Sequence, residues 1–579
     1  MEKIYKMFKL TQYLKKYKGK AFLGPAIKFL EAVFDIITPI LVALILDVGI
    51  PSGDKKYILI ISLLVIGMNL LGFICAIGCS KCASLVSRGV GADIRRDMYT
   101  KVTQLSSVEK DKYTTMAFTN RIVHDVQQVE NAISMTIRQV ARAPFLLIGS
   151  TIATVIIDAK LSLIFLIVMP IILFVVIFIM KKTSPMYMQA KTDLDKVSNV
   201  TRENLSGNRV VRAFNKQDYE ANRFNKVNAD FTKSNLNIGK MSAIMQPLLY
   251  LCVNLGVIAV VYFGGIRVNV GGLSQGKIIS FINYFTQIST ALVMIARLII
   301  TYTRTGASIK RIGEVYQLTP SIKNVSSPVV LDKTSPADIE FKNVNFSYNK
   351  IKYILNGFSI NIPAGSTIGV IGGTGSGKST LVNLLPRFYD VSSGEILING
   401  VNIKKYDLNS LRNYVSIVPQ NPTLFKGTIE SNLKFRDKNA SLEDMTKALK
   451  ISQSYEFVME KPDGIKTKVE RGGTNFSGGQ RQRLTIARAL VGSPKIIILD
   501  DSSSALDFET DYNLRHALAV TLKDTTKIIV SQRTNSIKDA DNIIVLDSGN
   551  VVGVGKHDEL LKTCEVYKEI YNSQNKEEV

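Results

Sequence analysis

Six apolar runs, near residues 21–48, 57–83, 140–157, 161–181, 243–266 and 277–302, dominate the first half of the chain. A hydrocarbon core about 30 Å thick takes roughly 20 helical residues to cross, and each run is close to that length or beyond it. Glu31, Asp35 and Arg297 interrupt them only sparsely. Pro39, Pro144, Pro170 and Pro247 lie inside or at the ends of the runs, where a neighbouring helix can satisfy a carbonyl that proline frees. The polar connections alternate in length. Those near 51–56, 158–160 and 267–276 are short, whereas 84–139 and 182–242 are long and helical in pattern. The pattern predicts six membrane-spanning helices, with two long helical extensions on one side.

The helical pattern persists to about Gln317 and then dissolves into TPSIKNVSSPVVLDKTSPAD, whose Ser, Pro and Lys content reads as a linker. Beyond it, the strand-like runs IEFKNVNF, STIGVIG, KIIILD, KIIVS and NIIVLD alternate with helical segments, which predicts an α/β domain with a largely parallel sheet. The expected organisation is an amphipathic helix over 1–20, a six-span domain over 21–318, a linker over 319–337 and an α/β domain over 338–579.

Charge sharpens this picture. The 72 Lys and Arg against 48 Asp and Glu give a net +24, which alone would fit nucleic acid. The basic residues instead fill the N-terminal stretch MEKIYKMFKLTQYLKKYKGK and the long connections, among them Arg88, Arg95, Arg96, Lys181, Lys182, Arg202, Arg209 and Arg212. Positive-inside placement and anionic lipid explain that distribution, so the bilayer is the expected partner, nucleic acid is not, and both termini are expected in the cytoplasm. Cys75, Cys79 and Cys82 share a helical face of an apolar run and read as small packing residues, not as a metal or disulfide set. The first apolar run is too long for the core of a signal peptide, so it reads as a retained span.

The chemistry lies in the second half. TIGVIGGTGSGKSTLVNLL puts Gly372, Gly373, Thr374, Gly375, Ser376, Gly377, Lys378 and Ser379 in GxxxxGK[ST] spacing between a predicted strand and a predicted helix, with Thr380 next. Such a P-loop curls backbone N–H groups around phosphate, adds the positive end of a helix and aims Lys378 at the β and γ oxygens of ATP. Ser379 is placed to hold Mg²⁺. KIIILDD supplies a buried strand ending in Asp500, a second acidic contact for Mg²⁺. Between these, NFSGGQRQRLTIARAL opens an Arg-rich helix on a Ser-Gly-Gly turn, whose hydroxyl and N–H donors suit a phosphate.

Next to a P-loop, that string closely resembles the signature motif of ATP-binding-cassette proteins, and the resemblance spans essentially the whole chain. It implies a six-helix transmembrane domain of the exporter type followed by an α/β P-loop nucleotide-binding domain, located in a bacterial plasma membrane. It also implies that Ser477, Gly478, Gly479 and Gln480 contact nucleotide, that Tyr348 in VNFSYN stacks on adenine, and that Gln420 in SIVPQNPTLF faces Mg²⁺. Glu470 resembles the acidic loop before the signature, and Ser504 to Asp507 match the D-loop, with Asp507 near nucleotide. GADIRRDMYTKV, NRIVHDVQQVENAI and VTRENLSGNRVVRAFNKQDYE resemble the two intracellular extensions, which implies short coupling helices near 110–118 and 213–219.

Two positions depart from the family pattern. Active members carry glutamate after the strand aspartate and histidine in the switch, whereas this chain has Asp501 and Gln532. Asp501 is one methylene shorter, and a displacement near 1 Å costs a positioned catalytic group on the order of 10²-fold. Gln532 can hydrogen-bond a phosphate but cannot carry an imidazolium charge. The expectation is therefore one half of a heterodimeric multidrug-type exporter of small lipophilic compounds, with a degenerate ATP site of its own and an intact signature for a second half-transporter. Lipid or peptide export, siderophore import on the same fold, and an ATP-gated regulator are the alternatives.

Overall fold

The computed structural model describes residues 10–332, 334–349 and 351–575, so the first nine residues of the expected amphipathic helix lie outside the described residues. The chain forms two compact units. One holds the residues up to Thr103 together with Thr115–Leu318, and the other holds Gln104–Thr114 together with the residues from Thr319 onward.

In the second unit the strands are β1 (Ile339–Phe346), β2 (Leu355–Ile362), β3 (Thr367–Gly372), β4 (Ser393–Ile398), β5 (Val401–Asn402), β6 (Val415–Val418), β7 (Gly427–Thr428), β8 (Lys468–Val469), β9 (Ile496–Asp500), β10 (Thr526–Val530), β11 (Asn542–Asp547) and β12 (Asn550–Gly555). Six of them form one sheet in the order β12-β11-β3-β10-β9-β6, parallel except for the antiparallel edge strand β12. Every residue of β9 and β10 is buried. That two-sided burial is why these strands read as unbroken apolar runs and not as alternating ones. A smaller antiparallel sheet, β2-β1-β4-β5, stands beside it. Because β6, β9, β10 and β3 run parallel in neighbouring positions, the loops that leave their carboxyl ends emerge together, as ligand-binding loops do in open α/β sheets.

In the first unit, six helices among the described residues are long and apolar enough to cross a bilayer: Lys18–Ser52, Lys55–Thr103, Thr115–Ile157, Ala159–Ala213, Gln217–Asn269 and Gln275–Gln317. In hydrocarbon a backbone must bond to itself, and the helix does so locally. Their outward faces carry side chains such as Ile156 and Leu166, each more than 70% exposed, as a lipid-facing surface requires. The expected coupling helices are corrected in position. The first is the short helix Ser107–Asp111, a few residues early. The second is not a helix: Ala159–Ala213 and Gln217–Asn269 are joined by three residues, one of them Asn215 at φ 50°, which leaves no length for a turn of helix between them.

Proline chemistry explains one polar cluster inside the first unit. Pro39 has no N–H, so the carbonyl of Asp35 loses its helical donor. Gln287 on the last span donates its side-chain amide to that carbonyl at 2.9 Å, and the Tyr284 hydroxyl donates to the next one, Ile36, at 2.6 Å. Ser150 in turn donates to Gln287 at 3.1 Å. The neighbouring carboxylates are paired rather than left facing an open cavity. Arg142 at the start of the third span lies 2.8 Å from Asp35 and 3.6 Å from Glu31, and Lys28 lies 2.6 Å from Glu31. Cys79 and Cys82 are buried in packing, as expected of small apolar residues.

Removing Arg142 would strand Asp35 in a place where charge is expensive, whereas Glu31 would keep Lys28. Arg142→Ala is expected to lower the unfolding free energy in detergent by about 1–2 kcal/mol, less than the roughly 3–5 kcal/mol of a fully buried pair because Arg142 and Asp35 are 28% and 32% exposed. Adding Asp35→Asn in the same chain should restore most of the loss in a thermal melt, because Glu31 keeps its pair with Lys28.

Candidate functional site

The site starts at the end of β3. A Cβ on Gly372 would sit 2.0 Å from the carbonyl oxygen of Leu546 in β11, so no other residue lets the strand leave the sheet there. Gly377 has φ 101°, and its Cβ would lie 2.9 Å from the Ile354 carbonyl oxygen. Lys378 then opens the helix Lys378–Leu384. Its ammonium donates to the carbonyl oxygens of Gly372 and Gly373 at 2.7 Å each. Burial pushes the Lys378 ammonium below its usual pKa, and the charges of Asp501 and Asp500 oppose that shift.

Three further loops meet this one. β9 delivers Asp500, whose Oδ1 accepts the Ser379 hydroxyl at 3.2 Å. Burial raises the Asp500 carboxyl above its ordinary pKa, Asp501 adds to the rise, and Ser379 and Lys378 work against it. The next residue, Asp501, turns the chain at φ 46°, a left-handed conformation that aspartate adopts more readily than most side chains. The loop after β6 brings Gln420, and the loop after β10 brings Gln532. Both amides donate to the same atom, Asp501 Oδ2, at 3.1 and 3.5 Å. These groups line one cleft of about 280 Å³ with Thr374, Gly375, Ser376, Gly377, Thr380, Ile354 and Val530.

The cleft suits a nucleotide phosphate. Ser376 Oγ is buried without a hydrogen-bond partner among the described residues, inside a cradle of glycine backbone. Gly373 and Gly375 have open space where a Cβ would stand. Tyr348 sits outside the cleft lining but reaches it, its hydroxyl 3.3 Å from the Thr380 hydroxyl and its ring 46% exposed.

The remaining expected contacts lie elsewhere in the cassette. Ser477 caps the helix Gly478–Leu490: its hydroxyl accepts from the Gln480 N–H at 3.2 Å, while the Gln480 side chain accepts from the Ser477 N–H at 3.1 Å. Space beside Gly478 is open, and Gly479 faces the carbonyl of Ala505. Asp507 caps the helix Phe508–Thr521 by accepting from the N–H and hydroxyl of Thr510, which hold its carboxyl below the usual range. Glu470 accepts the Thr474 hydroxyl in an exposed loop. The sequence reading missed Gln574, on the helix Glu565–Gln574. Its side chain donates to the Gln532 carbonyl at 2.6 Å and accepts from the Thr534 N–H at 2.8 Å, clamping the switch loop across some 40 residues without any local signal.

Comparison with known proteins agrees with this geometry. The family model of the ABC transporter transmembrane region matches residues 22–292, and that of the ABC transporter matches 355–504. An uncharacterized ABC transporter ATP-binding protein of Mycobacterium tuberculosis is 32% identical over 570 residues, covering 98% of each chain. The protein YfiB of Bacillus subtilis, of the same description, is 33% identical over 569 residues, again covering 98% of each. An ATP-dependent lipid A-core flippase of Legionella pneumophila is 31% identical, covering 98% of this chain and 96% of the flippase. The solved structure of a bacterial Atm1-family ABC exporter with ATP bound superposes with a TM-score of 0.80 over 98% of this chain and 99% of the other, at 23% identity, which is a likeness of fold. With six spans, a cassette sheet and a P-loop cleft in one chain, this protein belongs to the ABC transporters, as an exporter half-transporter that binds and hydrolyses ATP to drive transport across a membrane.

Proposed function

We propose that this half-transporter is the degenerate-site subunit of a heterodimeric exporter in the bacterial cell membrane, with both termini in the cytoplasm and small lipophilic compounds as substrates. The observation that carries the reading is the triangle at Asp501. In place of a glutamate long enough to orient water, the position holds a shorter carboxylate, and one of its oxygens is held by the amides of Gln420 and Gln532. Neither amide can carry a positive charge toward a developing phosphate charge. Serving a second half-transporter, Ser477, Gly478 and Gly479 keep an ordered, capped helix start with open space in front of Gly478. Lipid export is the second reading, favoured by the flippases among the relatives.

The residues present fit Mg²⁺ as well. Ser379, Asp500 and Gln420 offer the hard oxygen ligands that Mg²⁺ prefers, and bound Mg²⁺ would neutralise phosphate charge there. Lys378 would bind phosphate, Ser379 and Asp500 would hold the ion, and Gln532 would orient against the terminal phosphate. Without the ion, Asp500 is a costly buried carboxyl next to Asp501. An acid whose folded pKa is raised makes the fold lose stability as pH climbs from the ordinary value of 3.8 through the raised one. Asp500→Asn removes that titration, so its gain in melting temperature over the parent, without nucleotide or Mg²⁺, should be larger at about pH 8 than at about pH 4.

The two faces of the cassette are separated by their variants. In the purified complex, Ser477→Arg with Gly478→Asp should cut ATP hydrolysis on the order of 10²-fold, because bulk and negative charge would confront phosphate held by the second subunit. Asp501→Asn should cost about threefold at most. The reverse order would make Asp501 a working base and the complex a pair of equal sites.

A further inference from the structure

The aromatic cluster beside the P-loop is unused by the phosphate chemistry. The Tyr348 ring meets two others edge to face: Phe346 with centroids 4.8 Å apart at 85°, and Tyr389 at 5.0 Å and 88°. Tyr389 follows the P-loop helix and is held on a stiff stretch. Its neighbour Arg387 takes a left-handed turn at φ 52° and grips Asp390 with two bonds of 2.8 and 3.3 Å, and Arg412 donates to the Arg387 carbonyl at 3.1 Å. The far end of Tyr389 leaves the aromatic cluster. Its hydroxyl donates to Asp111 Oδ2 at 2.6 Å, a bond strengthened by the carboxylate charge, and Ser107 reaches the same hydroxyl. Burial, then Asp111, keep the phenol protonated well above its ordinary pKa, so it stays a donor.

Asp111 ends the helix Ser107–Asp111 within the segment Gln104–Thr114, which packs with the cassette although the chain on either side of it belongs to the second and third spans. Leu105 of the segment is buried, Glu109 accepts the Ser321 N–H at 3.2 Å and Ser106 accepts the Ile322 N–H at 3.1 Å. Those two bonds tie the segment to the linker. The bond from Tyr389 ties it to the nucleotide loop.

We propose that Tyr389 is a positioning residue that relays occupancy of the purine platform at Tyr348 to the segment Gln104–Thr114 of the same chain, and through its chain connections to the second and third spans. A purine stacked on Tyr348 fixes that ring, and rings packed edge to face at about 5 Å do not shift independently. The hydroxyl of Tyr389 then carries the constraint to Asp111. The relay rests on reading Tyr348 as the platform for adenine, so its test must separate the two claims.

Hydrogen–deuterium exchange on the full-length complex, titrated with Mg-ATP, reads both in this chain alone. Protection of residues 372–380 reports ATP at its own P-loop, and the ATP-dependent change over residues 104–114 reports the relay. Tyr389→Phe keeps the ring packing and removes the hydroxyl. It should leave the ATP titration midpoint within about twofold and abolish the ATP-dependent change at 104–114. Asp111→Asn keeps an acceptor and should retain most of that change, whereas Asp111→Leu should abolish it. Tyr348→Ala should raise the midpoint roughly 5- to 100-fold, as loss of base stacking does. An unshifted midpoint in Tyr348→Ala overturns the platform and with it the relay. A full ATP-dependent change in Tyr389→Phe, or faster exchange at 104–114 by the same amount with and without ATP, overturns the relay alone and leaves the Tyr389 bond a structural tie.

Discussion

A phosphate can be wrapped by backbone N–H groups only where no side chain stands in the way, and the cassette is organised around that demand. β3 must stop at a glycine because the Leu546 carbonyl of β11 fills the place of a Cβ, and the loop must re-enter a helix at Gly377 with a left-handed φ. The sheet order then does the rest. With β6, β9, β10 and β3 parallel and adjacent, Gln420, Asp500, Asp501 and Gln532 have to arrive at the rim of that loop. Ser379 and Asp500, 121 residues apart in sequence, meet at 3.2 Å for the same reason.

The membrane unit answers the same demand for satisfied backbone in a different solvent. In hydrocarbon an orphaned carbonyl finds no water, so the one freed by Pro39 recruits Gln287 from the last span, and the carboxylates beside it recruit Arg142 and Lys28. Polar side chains there act as ties between spans. In the cassette, by contrast, the polar groups at Asp501 are arranged so that two amides spend their donors on one carboxylate oxygen. On the proposed reading, that is a site able to hold a phosphate and short of a group to activate water. The helix start at Ser477, which does not line that cleft, keeps its cap and its open face.

Features with a local period or a fixed spacing were legible in the sequence: the six apolar runs, the strands IEFKNVNF and KIIILD, and the P-loop. The Ser477–Gln480 box was also written locally, as Ser followed by Gln three residues on, although its first duty is to cap its own helix. Asp507 is a similar case, because an aspartate three residues before a threonine signals a cap as strongly as a ligand. What the sequence concealed were pairings between distant segments with no spacing rule: Arg142 with Asp35, Tyr389 with Asp111, Gln574 with Gln532. The second coupling helix was misread because charge and helical periodicity continue through 213–219, whereas Asn215 turns the chain in three residues.

The central claim of the proposed function is that this chain's own P-loop holds ATP while its Asp501 triangle leaves that ATP poorly hydrolysed. Chain-specific photocrosslinking with a labelled azido-ATP tests it most directly. The complex is allowed many turnovers, excess nucleotide is removed, and the nucleotide attached to this chain is identified as di- or triphosphate. The account predicts triphosphate on this chain while the complex as a whole releases phosphate. Diphosphate on this chain, formed at the pace of phosphate release, would contradict it.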